Sequence, residues 1–112
     1  KIMVFLHGTT IMHRAAAGIS RAERVRQVRE GEDSVRDFSN YIPVGNAPQK
    51  LWRWQDQGAE IVYLSSHLSP ADVETDRLVL RRHRFPPGAV HFRQNKESYA
   101  DVAERILPDL LI

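Results

Sequence analysis

The chain has 112 residues, 42% of them apolar and 27% charged, with 16 bases against 14 acids for a net charge of +2. That length sets one domain with one core, and that composition excludes a disordered chain. No cysteine is present, which excludes disulfides, thiolate metal sites and a cysteine nucleophile, and suits a cytoplasmic setting.

The arginines are interspersed with Glu and Asp rather than gathered into a stripe, so nucleic acid is not the expected partner. No apolar run approaches a membrane-spanning length, and no membrane contact is expected.

The chain begins with Ile2-Met3-Val4-Phe5-Leu6, a short apolar run of the kind that forms a strand buried on both faces of a parallel sheet. His7, Gly8, Thr9 and Thr10 follow where that strand ends. In open α/β sheets ligands bind beyond the carboxyl ends of strands, so this is the expected floor of a site.

Residues 11–45 interrupt the pattern. Thr10 to Gly18 has no clear period, and Ser20-Arg21-Ala22-Glu23 has the form of a capping box that opens a short helix. Val25 and Val28 give that helix a narrow apolar stripe, and Gly31 ends it. A second small helix is expected from Asp33 through Val35 and Phe38 toward Tyr41. The region is expected to be a small helical insertion lying over the strand ends.

From Asn46 onward strands and helices alternate. Asn46 or Ala47 caps a helix with Pro48 in its first turn, and Leu51, Trp52 and Trp54 supply bulk before Gly58. Ala59 to Leu64 is a second buried-type strand, ending in Ser65-Ser66-His67. Ser69-Pro70-Ala71-Asp72 opens the next helix with a cap, a proline and an acid. Pro86-Pro87-Gly88 breaks the chain, Ala89 to Phe92 makes a third strand, and a helix from about Glu97 to Leu107 places Tyr99, Val102, Ala103 and Ile106 on one face. Pro108-Asp109 leads into Leu110-Leu111-Ile112, a last strand with no polar terminator, so the chain is expected to continue beyond it. This order predicts an α/β fold: a three-layer, Rossmann-like parallel sheet with right-handed crossovers and helices on both faces.

A first strand ending in His-Gly is also similar to the oxyanion strand of α/β-hydrolases, but that fold needs a Gly-x-Ser-x-Gly elbow between a strand and a helix. Gly18-Ile19-Ser20-Arg21-Ala22 lacks the final glycine and has no strand before it, and Ser20 is better explained as a helix cap.

Three polar clusters follow three successive strands: His7-Gly8-Thr9, Ser65-Ser66, and Lys96 shortly after Phe92. Parallel neighbours would gather hydroxyls, backbone N–H groups and a lysine at one edge, donors suited to a phosphate. Here the chain resembles the haloacid dehalogenase-like superfamily, most of whose members are magnesium-dependent phosphatases. The resemblance covers residues 1–10 and 46–112 as the core, with 11–45 as the cap. Ile61 to Ser66 looks like the second motif, in which Ser65 would bond the phosphoryl group. Lys96 looks like the third-motif lysine, and Pro108 to Ile112 like the strand before the acidic fourth motif, whose acids are expected beyond Ile112.

The first motif of that superfamily is Asp-x-Asp-Gly-Thr. Alignment on Gly8-Thr9 puts Phe5 where the nucleophilic aspartate belongs and His7 where the acid–base aspartate belongs. Phenylalanine can neither attack phosphorus nor bind magnesium, which closes the covalent route. His7 can still move protons.

The resemblance implies a phosphatase-type protein acting on a small phosphomonoester, with His7 and Lys96 catalytic, Gly8, Thr9, Ser65, Ser66 and Lys96 on the phosphate, and magnesium as the ion. The alternative is a non-catalytic module that binds a phosphorylated molecule or inorganic phosphate. Structural roles also fit these residues: His7 as a loop hydrogen-bonder, Ser65 and Ser66 as turn residues, Lys96 as a solvated side chain. His13, His67, His83 and His91 show no metal-ligand spacing along the sequence. Trp52 and Trp54 read as packing and surface residues, and Arg81-Arg82-His83-Arg84 as a solvated helix terminus.

Overall fold

The computed structural model of the protein describes residues 1–14, 20–30 and 40–112. Strand β1 (Ile2–Phe5) is followed by β2 (Ile11–His13), helix α1 (Arg21–Glu30), β3 (Tyr41–Pro43) and α2 (Ala47–Asp56). Then come β4 (Ile61–Leu64), α3 (Pro70–Arg82), β5 (Val90–His91), α4 (Tyr99–Ile106) and β6 (Leu110–Leu111).

The main sheet runs in the order β5-β4-β1-β6, with every pairing parallel. Ile2 to Phe5 pair in register with Ile61 to Leu64. The two continuous apolar runs are thus central neighbours, where both faces of a strand are buried and alternation is not needed.

Successive side chains of these strands enter two separate cores. Val4, Ile61 and Tyr63 pack with Leu51 of α2 and with Val73, Val79 and Leu80 of α3. Met3, Val62 and Leu64 pack with Val102 of α4, and Phe5, Tyr99, Ala103 and Ile106 lie against them. Burial of a side chain such as Leu64 contributes about 1.5–3 kcal/mol.

Local chemistry sets the helix starts. Ser69 Oγ accepts the Asp72 N–H at 3.2 Å, and Pro70 occupies the first turn of α3. Helix α4 starts at Tyr99, two residues later than its apolar pattern predicts, because Ser98 and Asp101 form a reciprocal capping box that fixes the first turn. Asn46 caps α2 without a side-chain hydrogen bond.

Residues 11–45 are not wholly helical at their ends. β2 and β3 form an antiparallel ribbon, pairing Ile11 with Pro43, Met12 with Ile42 and His13 with Tyr41. Tyr41, where the second helix was expected to end, lies in β3, and residues 33–39 lie outside the described residues. Ser20 does cap α1, accepting the Glu23 N–H at 3.1 Å, while the Glu23 carboxylate turns to Arg26. Val25, half of the expected stripe, is exposed.

Candidate functional site

The parallel pairing brings the carboxyl ends of β1, β4 and β5 to one edge of the sheet, and a loop leaves each. The first loop is a closed turn. The Leu6 carbonyl accepts the N–H groups of Thr9, Thr10 and Ile11 at 3.2, 2.8 and 2.9 Å, and the Gly8 N–H donates to Ile11 O at 2.8 Å. Gly8 sits at φ +86°, backbone that favours glycine. The Thr10 hydroxyl closes the turn on the Phe5 carbonyl at 2.6 Å. The N–H groups of Gly8 and Thr9, expected on a phosphate, are therefore engaged within the turn.

The second loop begins at Ser65, which is fully buried. Its N–H donates to His91 O at 2.8 Å, its hydroxyl donates to Asp76 Oδ2 at 2.5 Å, and Oγ accepts the His67 N–H at 3.0 Å. Ser65 is thus committed to holding protein groups, whereas Ser66 is exposed.

Asp76 comes from α3. It belongs to that helix's buried face with Val73, Val79 and Leu80, and only 1% of its side chain is exposed. His67 Nδ1 lies 3.0 Å from Asp76 Oδ2, and His7 Nε2 lies 3.4 Å from Oδ1 and 3.5 Å from Ser65 Oγ. Burial opposes the charge of Asp76, but hydrogen bonds from His67, His7 and Ser65, with the charge of His7, outweigh it and bring its pKa down to about 2. The carboxylate is therefore ionised, and His67 Nδ1 carries the proton it shares with Oδ2. Oδ1 itself is buried and, among the described residues, has no closer polar contact than His7 Nε2 at 3.4 Å.

The two imidazoles are stacked obliquely, with centroids 4.3 Å apart. Tyr41, delivered by the β2–β3 ribbon, meets His7 edge-on at 5.4 Å and His13 edge-on at 5.7 Å. His7 and His67 keep 14% and 10% of their side chains exposed, so the cluster has a narrow opening to solvent.

The third loop places Lys96 in an exposed turn, with Asn95 and Lys96 at φ +51° and +64°. The Gln94 N–H donates to Glu97 Oε1 and the Glu97 N–H to Gln94 O, both at 2.9 Å. Arg93, not Lys96, turns inward: its guanidinium lies 4.3 Å over the Tyr99 ring, and its buried Nε has no hydrogen-bond partner among the described residues. Tyr99 in turn meets the Phe5 ring edge-on at 5.2 Å. Phe5 is therefore part of an apolar wall.

Sequence reasoning placed His7 and Ser65 together, and they are together. It missed Asp76 and set His67 aside. One visible signal was an aspartate in register with Val73, Val79 and Leu80 on an apolar helix face, since a carboxylate is rarely buried without partners. No signal marked His67, because the three residues come from three different elements.

His7, His67 and Asp76 form a group able to hold a metal, with one ligand atom from each lying within 4.8 Å of the others. A separate groove of about 240 Å³ between α3 and the Phe85–Gly88 loop shares no residue with this group. Among the described residues no helix is long and apolar enough to cross a membrane. No protein-family model, curated protein or solved structure matches the chain.

Proposed function

We propose that the chain is a haloacid dehalogenase-like protein of the phosphatase type, with a Rossmann-like three-layer core and residues 11–45 as its cap. The carboxyl edge of its sheet binds a small phosphomonoester or inorganic phosphate and does not use the aspartyl route. The strand order supports this reading, since β1, the first-motif strand, lies between β4 and β6, the strands assigned to the second and fourth motifs. The observation that carries the non-covalent part is Phe5. Its ring packs on Tyr99 at the position of the nucleophile, where nothing can attack phosphorus. Exposed Thr9, Ser66 and Lys96 supply hydroxyls and a cation for the anion.

Magnesium, the ion that the resemblance implies, prefers oxygen ligands. The described edge offers Phe5 in place of an aspartate, with imidazoles beside it, and these residues do not fit that ion. The test is thermal unfolding with and without phosphate, together with turnover of an aryl phosphate. A rise in Tm with phosphate and background turnover are expected. Turnover that falls in Lys96→Ala would overturn the non-hydrolytic reading.

A hydrolytic version draws on one observation of its own. His7 Nε2 sits between Ser65 Oγ and Asp76 Oδ1, an imidazole held where an acid–base group is needed. It predicts that His7→Ala abolishes any turnover while leaving the phosphate-induced shift in place.

A further inference from the structure

We infer that His7, His67 and Asp76 form a binding site for a divalent transition ion of the zinc class. The inference goes beyond the phosphate reading and does not rest on it.

Two imidazoles and one carboxylate are a donor set suited to Zn²⁺, Co²⁺, Fe²⁺ or Ni²⁺, and poorly suited to Mg²⁺ or Ca²⁺. Ligands about 2.1 Å from a tetrahedral zinc lie roughly 3.4 Å from one another. His7 Nε2 and Asp76 Oδ1 are 3.4 Å apart, and the three ligand atoms all lie within 4.8 Å. Small side-chain rotations would seat an ion among them.

The state of the carboxylate points the same way. The Asp76 side chain is only 1% exposed, yet among the described residues its Oδ1 makes no hydrogen bond of good geometry and has only the longer His7 contact, at 3.4 Å. A buried carboxylate oxygen so weakly partnered is destabilising. A bound cation would satisfy it.

The surroundings have the form of an outer shell. Ser65 Oγ holds the other carboxylate oxygen at 2.5 Å, and such contacts orient metal-binding carboxylates. The Tyr41 ring lies edge-on to His7 and limits its rotation. On binding, the proton on His67 Nδ1 is released to solvent or moves to Nε2, and the freed Nδ1 lone pair turns from Oδ2 to the ion. The remaining exposure of both imidazoles leaves the ion a position open to solvent, which is the mark of a site for an exchangeable ligand rather than a closed structural one.

The experiment uses the 112-residue chain, stripped of metal, in phosphate-free buffer. Co²⁺ is titrated while visible absorption is followed, and Zn²⁺ binding is measured by calorimetry. One Co²⁺ per chain is expected, with a visible d–d band displaced by Zn²⁺ and unaffected by excess Mg²⁺. His7→Ala and His67→Ala are each expected to weaken binding by more than about 100-fold, beyond the usual effect of losing an outer-shell partner. His83→Ala should leave it unchanged.

Circular dichroism checks that each variant is folded, and His67→Gln replaces His67→Ala if that variant is not. No Co²⁺ uptake by the wild type, or binding that persists in both histidine variants, would overturn the site. The absence of phosphate keeps this outcome separate from that of the phosphate-binding test.

Discussion

Ser65 Oγ and Asp76 Oδ2 are 2.5 Å apart and sealed from solvent, although one residue ends a strand and the other lies inside a helix. The serine hydroxyl joins the sheet edge to α3, and the same oxygen accepts the His67 N–H. Ser65→Ala removes a donor and an acceptor at once and leaves two buried groups short of a partner. The expected cost is about 1–3 kcal/mol, read as a lower urea midpoint at unchanged slope. A change within 0.5 kcal/mol, the spread of ordinary surface substitutions, would show that the link carries no weight.

Asp76 also makes the protein sensitive to acid in a defined window. Its hydrogen bonds hold the pKa at about 2 in the folded state, against 3.8 for an ordinary aspartate. A carboxylate with a depressed folded pKa contributes stability that is present above the unfolded pKa and is lost as pH falls through the folded one. That contribution is on the order of 2 kcal/mol, and its loss falls between pH 4 and pH 2. Unfolding free energies at stepped pH should fall less steeply there in Asp76→Asn than in the wild type. Equal slopes would assign the acid sensitivity to the surface carboxylates.

Much of the fold was legible because it depends on local chemistry. β1 and β4 showed as uninterrupted apolar runs, and α3 showed through Ser69, Pro70 and Asp72. The β2–β3 ribbon was not legible. Each strand has three residues, too few to show a period, and the pairing of His13 with Tyr41 closes across a segment whose visible signals are those of helices. The site divides in the same way. His7 and Ser65 follow strands and could be placed by topology. Lys96 was placed by its position after the third strand and by the resemblance, and the structure leaves it exposed and turns Arg93 inward instead. His67 and Asp76 meet only because α3 lies across the loop after β4, a tertiary relationship that no spacing along the chain encodes.

Gly88 is required by space rather than by its backbone angles. A Cβ built there would sit 2.2 Å from the Ile61 carbonyl oxygen and 3.2 Å from the Tyr63 ring. The first contact is with the backbone of a central strand, which cannot yield as a flexible side chain does. Tyr63 is also anchored, with its hydroxyl donating to Pro86 O at 2.6 Å. Gly88→Ala must push β5 and its preceding loop away from β4, at an expected cost of about 1–3 kcal/mol. Denaturant unfolding measures it, and retention of wild-type stability would mean that the loop shifts without strain.

Leu107 is the opposite case, a position where glycine should improve the protein. It ends α4 in the left-handed region, at φ 54° and ψ 58°, with its N–H donating to Ala103 O. For a residue with a Cβ that conformation costs roughly 1–2 kcal/mol. The side chain offers little in return, being 75% exposed. Glycine is the usual residue at this place because it adopts positive φ without the clash, although it adds disorder to the unfolded chain. The balance favours Leu107→Gly by about 0.5–1 kcal/mol, which for a domain of this size raises Tm by a few degrees. A lower Tm would show that the freedom glycine adds to the unfolded chain outweighs the strain it relieves at this position.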